Sequence, residues 1–66
     1  MNIQKKIDYC LNFIEEKQLQ GEEVGLGYQE DLFGVMGFFL MSEKSASECL
    51  DKLYEIAIKE RLNQGQ

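Results

Sequence analysis

The apolar positions of this chain recur at helical spacing and divide it into three segments. In residues 2–19 they recur every three to four residues and fall within about 100° of one another on a helical wheel, which predicts an amphipathic first helix. The stripe consists of Ile3, Ile7, Cys10, Leu11 and Ile14. Tyr9 and Phe13 form a second ridge beside it. We interpret that ridge either as an aromatic pair flanked by solvent or as a contact with another chain.

The most apolar segment of the chain lies at its centre. Residues 32–41, LFGVMGFFLM, contain no charged or polar side chain. A wheel drawn for residues 28–41 shows one apolar face and almost no polar face opposite it. The first face holds Tyr28, Leu32, Val35, Met36 and Phe39, and the other holds Phe33, Phe38, Leu40 and Met41. A buried strand is the alternative for so short a run, but the helical spacing and the lack of an obvious partner strand favour a second helix over 28–41.

Two glycines inside this predicted helix call for an explanation. Each glycine costs about 1 kcal/mol relative to alanine in a helix, and close approach of another backbone is the usual reason for one. A helix that is apolar all round must be covered on all sides, whereas two neighbouring helices cover about two. We therefore expect the uncovered side to bind another chain, most simply a second copy in a two-fold homodimer. The expected interface residues are Phe33, Gly34, Gly37, Phe38 and Met41.

The third segment begins with a helix-capping pattern. Ser45 and Glu48 have the spacing of a capping box, which predicts a helix over residues 46–63. Its core stripe is Leu50, Leu53, Tyr54, Ala57 and Ile58, widened by Cys49, Ile56 and Leu62. The whole pattern predicts an all-α fold with one small three-helix domain over residues 1–66.

Composition limits the chemistry available to the chain. It has no histidine and only two cysteines, Cys10 and Cys49, which makes a zinc site improbable. One disulfide could join them, but both lie on or beside apolar stripes and are better interpreted as small buried hydrophobes. With no nucleotide motif either, we expect no cofactor, no metal and no enzymatic activity. The first 16 residues contain no uninterrupted apolar run, so we do not interpret them as a signal peptide. The apolar run at residues 32–41 is too short to span a bilayer. We therefore expect a cytoplasmic protein.

Charge indicates what the chain would bind. The net charge is −5, and residues 15–31 alone hold six acidic residues and one lysine. The predicted acidic site consists of Glu22, Glu23, Glu30 and Asp31. Such a segment repels phosphate, which disfavours nucleic acid, an anionic membrane and a phosphate-binding role for Gly25 and Gly27. Its spacing does not match a calcium-binding EF-hand. It would attract a basic protein instead.

These observations predict a small acidic interaction module that acts through an apolar helix face and an acidic loop. The alternative is a DNA-binding helix-turn-helix regulator, for which three helices are the minimal frame. The basic residues available to its third helix are Lys44, Lys52, Lys59 and Arg61, and acidic residues interrupt them. Because no basic stripe emerges, the interaction module is favoured.

Overall fold

The fold consists of three consecutive α-helices. A computed structural model describes residues 2–37 and 42–64, and in it α1 spans Ile3–Leu19, α2 spans Leu26–Val35 and α3 spans Glu43–Gln64. The predicted all-α, three-helix fold is confirmed. Lys6 pairs with Asp51, and Lys17 pairs with Glu60, so α1 and α3 run in the same direction. The intervening α2 runs in the opposite direction and packs mainly on α3.

The central element is α3, because both other helices pack extensively against it and much less against each other. The buried core cluster draws on all three helices and consists of Ile7, Cys10, Ile14, Leu32, Leu50 and Leu53. Most of the core stripes predicted for α1 and α3 are therefore confirmed. In α2 the predicted face is less deeply buried: Tyr28 and Val35 pack against the cluster only partly, and Met36 is exposed.

Aromatic rings and cations pack between α1 and the other two helices. The rings of Tyr9 and Tyr54 pack edge to face with centroids 5.0 Å apart, and Phe13 packs in the same way on Tyr28 at 5.6 Å. The Arg61 guanidinium lies 4.2 Å from the centroid of the Tyr9 ring. Both interpretations of the Tyr9–Phe13 ridge are therefore wrong, because it faces the other helices of its own chain.

The second helix is shifted and shorter than its sequence pattern predicts. It begins at Leu26 because Gly25 serves as the N-cap, and the Gly25 carbonyl accepts from the amide of Tyr28 at 3.0 Å. It ends at Val35 because Gly37 has φ +100°, a left-handed conformation that favours glycine and terminates helices. The prediction of helix at residues 36 and 37 is therefore wrong. Residues 38–41, with Phe38 and Met41, lie outside the described residues.

The third helix begins one turn earlier than predicted. The Ser45 amide donates to the Ser42 hydroxyl at 3.1 Å, and the Ala46 amide donates to the Ser42 carbonyl at 2.9 Å. Ser42 is therefore the N-cap, and the capping box of Ser45 with Glu48 is wrong. The segment offers two serines at cap-like positions, and the earlier one adds a turn to α3.

We expect Ser42→Ala to lower the free energy of unfolding by about 1 kcal/mol, because it removes the side-chain acceptor at the start of α3. Ser45→Ala should lower the free energy of unfolding by less, since the amide of residue 45 still donates to the Ser42 hydroxyl. The urea midpoints of the two variants, compared at unchanged m-value, measure the difference. A larger loss from Ser45→Ala would place the start of the helix at residue 46 after all.

Candidate binding surface

The four acidic residues of the predicted site do not form one patch. Gly21, at φ +77°, ends α1 and leads into Glu22 and Glu23. The Glu22 carboxylate lies 2.8 Å from the Lys17 ammonium, which also lies 3.3 Å from Glu60. Glu22 is therefore partly neutralised, whereas Glu23 is exposed.

The other two carboxylates, Glu30 and Asp31, lie on different flanks of α2. Adjacent residues of a helix are separated by 100° around its axis. Asp31 lies on the flank next to α3, close to Cys49. Burial is the main cause that raises the pKa of the Cys49 thiol, and the negative charge of Asp31 raises it further. Glu30 lies away from α3 and is exposed. Both belong to the second turn of α2 rather than its first, because the helix begins at Leu26.

Large apolar side chains are exposed on the flank of α2 that points away from α3. Leu26 is 75% exposed, Phe33 41% and Met36 37%. Leu26 and Phe33 are seven residues apart and share one stripe, and Met36 lies one turn beyond Phe33. Of the predicted interface residues, Phe33 is thus exposed, whereas Gly34 is buried within the chain. Gly37 is exposed but belongs to the turn that ends the helix.

Two cavities show which flank of α1 this apolar stripe faces. The first, of about 600 Å³, opens between the end of α1, the acidic loop and the start of α2, and its lining includes Gln18, Leu26 and Gln29. The second, of about 540 Å³, is lined mostly by the first turns of α3, and Ile3 and Val35 complete its lining. Because Gln18 lies near Gln29 and Ile3 lies near Val35, α1 and α2 run antiparallel.

The facing flank of α1 follows from helical spacing. Leu11 lies seven residues before Gln18 on the same stripe, and it is half-buried against the core. Asp8 and Glu15 are the exposed acidic neighbours of Leu11, one turn away on either side. We call this surface the α1–α2 face. Its apolar members are Leu11, Leu26, Phe33 and Met36, and its acidic members are Asp8, Glu15, Glu22, Glu23 and Glu30.

Sequence reasoning missed Leu26, Met36, Asp8 and Glu15 as members of this face. Leu26 sits between two glycines and was assigned to a loop, whereas Met36 was assigned to the core. The spacing of Leu26 and Phe33 was the available signal, but it is informative only once the helix is known to begin at residue 26.

Three basic side chains belong to the opposite seam, between α1 and α3. Lys6 lies 2.7 Å from Asp51, the Arg61 guanidinium lies 3.0 Å from Glu16, and Lys17 reaches Glu60. The sequence has no lysine or arginine between Lys17 and Lys44. Lys44 is exposed and lies with Ile3 and Val35 in the lining of the second cavity.

Both cysteines are free, and neither has the environment of a reactive thiol. Cys10 is fully buried, and burial raises its pKa, although a hydrogen bond with the Tyr28 hydroxyl opposes that shift. The same hydroxyl donates to the Leu53 carbonyl at 2.8 Å, and burial raises the pKa of Tyr28 strongly. Because a thiolate is the nucleophilic form, raised thiol pKa values favour a structural role. The interpretation of the cysteines as small hydrophobes fits this geometry.

Two further findings concern only the part of the chain that the structure describes. Within residues 2–37 and 42–64, no group of three or more histidine, cysteine or acidic side chains could hold a metal ion. No helix in these ranges combines the length and the apolar character needed to cross a membrane.

Comparison with known proteins adds no assignment. No protein-family model, no curated protein and no solved structure matches this chain.

We expect the stability of the protein to fall as pH rises from about 8 to 10. Because burial holds the pKa of Cys10 above that of a free thiol, about 8.5, the unfolded chain loses this proton first, and alkaline pH favours unfolding. Cys10→Ala should flatten the decline in the free energy of unfolding, followed by urea denaturation at each pH. Cys49→Ala, at a half-buried thiol, serves as the control and should retain most of the slope. Equal slopes for the native chain and Cys10→Ala would contradict this account.

Proposed function

We propose that this protein is a non-enzymatic interaction module that binds another protein through the α1–α2 face. The observation that carries the proposal is the set of exposed apolar side chains on the side of α2 that points away from α3, namely Leu26, Phe33 and Met36. Exposed apolar side chains that cluster on one side of a helix favour an interaction site, whereas apolar residues scattered singly are ordinary.

The size of the apolar contribution indicates that charge must help. Completing the burial of Leu26, Phe33 and Met36 would contribute roughly 1–2 kcal/mol each, or about 4 kcal/mol together. That only equals the lower bound of about 4 kcal/mol for the freedom lost on association. A specific complex therefore needs the acidic members of the face, which favours a partner of opposite charge.

The same charges disfavour a second copy of the chain as the partner on this face. A two-fold contact would place the acidic residues of this face in one copy against the same acidic face of the other copy, and like charges repel. The burial of Gly34 also removes one of the two glycines that motivated a close homodimer contact. A basic protein is the partner that we propose, and self-association is an outcome that the test detects.

DNA binding gains no specific support. A recognition helix needs free cations on one stripe, whereas Arg61 stacks on Tyr9 and pairs with Glu16.

The test is site-specific photo-cross-linking in the native host cells. A photoreactive residue replaces Leu26 on the α1–α2 face or, as the matched control, Leu62, which is 67% exposed on α3. We expect one discrete cross-linked protein from position 26 and none in common with position 62, as identified by mass spectrometry. Identical products from the two positions, or none from position 26, would contradict the proposal. A product of twice the chain mass would identify a second copy and contradict the basic partner.

A further inference from the structure

We propose that the acidic loop, residues 20–25, is a salt-sensitive flap that the ammonium of Lys17 latches against the rest of the chain. Opening of this flap is a property of the free protein and does not require the proposed partner. Four features of the structure support the proposal: the way α1 ends, the ion pairs of Lys17, the open space on both sides of the loop, and the pocket that the loop covers.

The first helix ends in a Schellman motif, which an ion pair closes. The Glu22 amide donates to the Lys17 carbonyl at 2.9 Å, and the Gly21 amide donates to the Gln18 carbonyl at 3.1 Å. Gly21, at φ +77°, supplies the left-handed conformation that the motif needs. An apolar contact frequently joins the two side chains that the motif brings together. Here those side chains are Lys17 and Glu22, so charge closes the turn instead of apolar contact.

The same ammonium ties the loop to α3. The Lys17 ammonium lies 2.8 Å from the Glu22 carboxylate and 3.3 Å from the Glu60 carboxylate. The hydrogen bond with Glu22 is the main cause that raises the pKa of Lys17. The Lys17 side chain is 12% exposed, whereas that of Glu22 is 55% exposed. Because one member of the pair lies in water, dissolved salt screens the attraction and weakens the latch.

The loop has open space on both of its sides. Glu23, Val24 and Gly25 line the cavity of about 600 Å³ on one side and a cavity of about 210 Å³ on the other. Val24 packs partly against the core cluster, and its carbonyl accepts from the Gln29 side chain at 3.4 Å, which is long for a hydrogen bond. A segment with so few buried apolar contacts opens at a lower free energy than the core.

The smaller cavity is the pocket that the flap covers. Its lining combines Glu23 and Val24 of the loop with Phe13, Tyr28 and Ile56 of the three helices. Phe13 and Tyr28 pack edge to face, and the Tyr28 hydroxyl donates to the Leu53 carbonyl, so both rings are held without the loop. Release of Glu22 by Lys17 would therefore uncover an aromatic pocket and leave the core in place.

The test is amide hydrogen exchange of Gly21 and Glu22 in the full chain, followed by NMR. We expect the protection of these two amides to be independent of low urea concentrations, because the flap opens locally. The Leu53 amide should lose protection steadily as urea rises, because it exchanges through global unfolding. Equal urea dependence at all three amides would show that the loop opens only with the whole chain, and it would overturn the proposal.

Salt and a matched pair of variants identify the latch. Raising sodium chloride from about 0.05 M to about 0.5 M should lower the protection at residues 21 and 22 about twofold. Lys17→Met removes the ammonium and should lower it about threefold to fivefold, with the salt dependence lost. Lys6→Met is the control, because it removes the ammonium that lies 2.7 Å from Asp51 in the same seam. It should change protection at residues 21 and 22 less than about 1.5-fold.

A second variant keeps the test decisive if Lys17→Met fails to fold. Glu22→Gln removes the loop carboxylate at an exposed position, and it should lower the protection at residue 21 nearly as much as Lys17→Met. Circular dichroism establishes that each variant folds. Equal losses from Lys6→Met and Lys17→Met would show a general loss of stability and overturn the latch. Unchanged protection in folded Glu22→Gln would overturn it as well.

These outcomes are separate from those of the cross-linking test. A local, salt-dependent opening of the loop would stand even if position 26 cross-linked to no protein, and a cross-linked partner would not rescue a loop that opens only on global unfolding.

Discussion

The arrangement of this protein depends on the packing of α1 and α2 against the same helix, α3. At 22 residues α3 is about 33 Å long, which is enough to support α1 along its length and α2 at its middle. Leu50 and Leu53 contribute to the core cluster, and the Leu53 carbonyl accepts the hydroxyl of Tyr28. Between α1 and α2 the contacts are fewer, and the packing of Phe13 on Tyr28 is one of them. Leu26 and Phe33 lie on the side of α2 that points away from α3, and they stay exposed.

The two seams of α1 have opposite character. On the α3 side, Tyr9 packs against Tyr54, Arg61 covers Tyr9, and Lys6 pairs with Asp51, so apolar area and charge are both covered within the chain. On the α2 side, Leu11 is half-buried and its neighbours Asp8 and Glu15 are exposed. A chain of this size buries only about 60% of the surface that its unfolded form exposes, so some surface must stay uncovered. Here that surface combines apolar side chains with one sign of charge.

Much of the fold could be predicted because helical periodicity determines which residues face inward. The stripes around Cys10 and Leu53 followed from spacing alone. Periodicity does not say which flank of a helix a neighbour covers, and for that reason Tyr9 and Phe13 were misinterpreted. The predicted helix ends were wrong for a related reason. Ser42 and Ser45 are equally good N-caps in isolation, and the structure uses Ser42. The left-handed conformation of Gly37 ends α2 where the apolar composition alone would continue it.

The candidate site could be predicted only in outline. An apolar helix and an acidic segment were visible in the sequence, but their relation was not. Glu30 and Asp31 are adjacent in the chain and lie on different flanks of α2, and Asp8 and Glu15 join the site from another helix. Such membership depends on tertiary packing, because it is the register of α1 against α2 that brings these residues to one surface.

Carbene footprinting of the free protein at low micromolar concentration tests most directly whether the α1–α2 face is uncovered. Residue-resolved mass spectrometry would report labelling of Leu26, Phe33 and Met36 relative to the buried Cys10 and Leu53 and to the exposed Leu62. We expect the first three to be labelled in proportion to their exposure and the two core residues to be protected. Protection of Leu26, Phe33 and Met36 to the level of the core would show that the face is already covered in the free protein, and it would contradict the account.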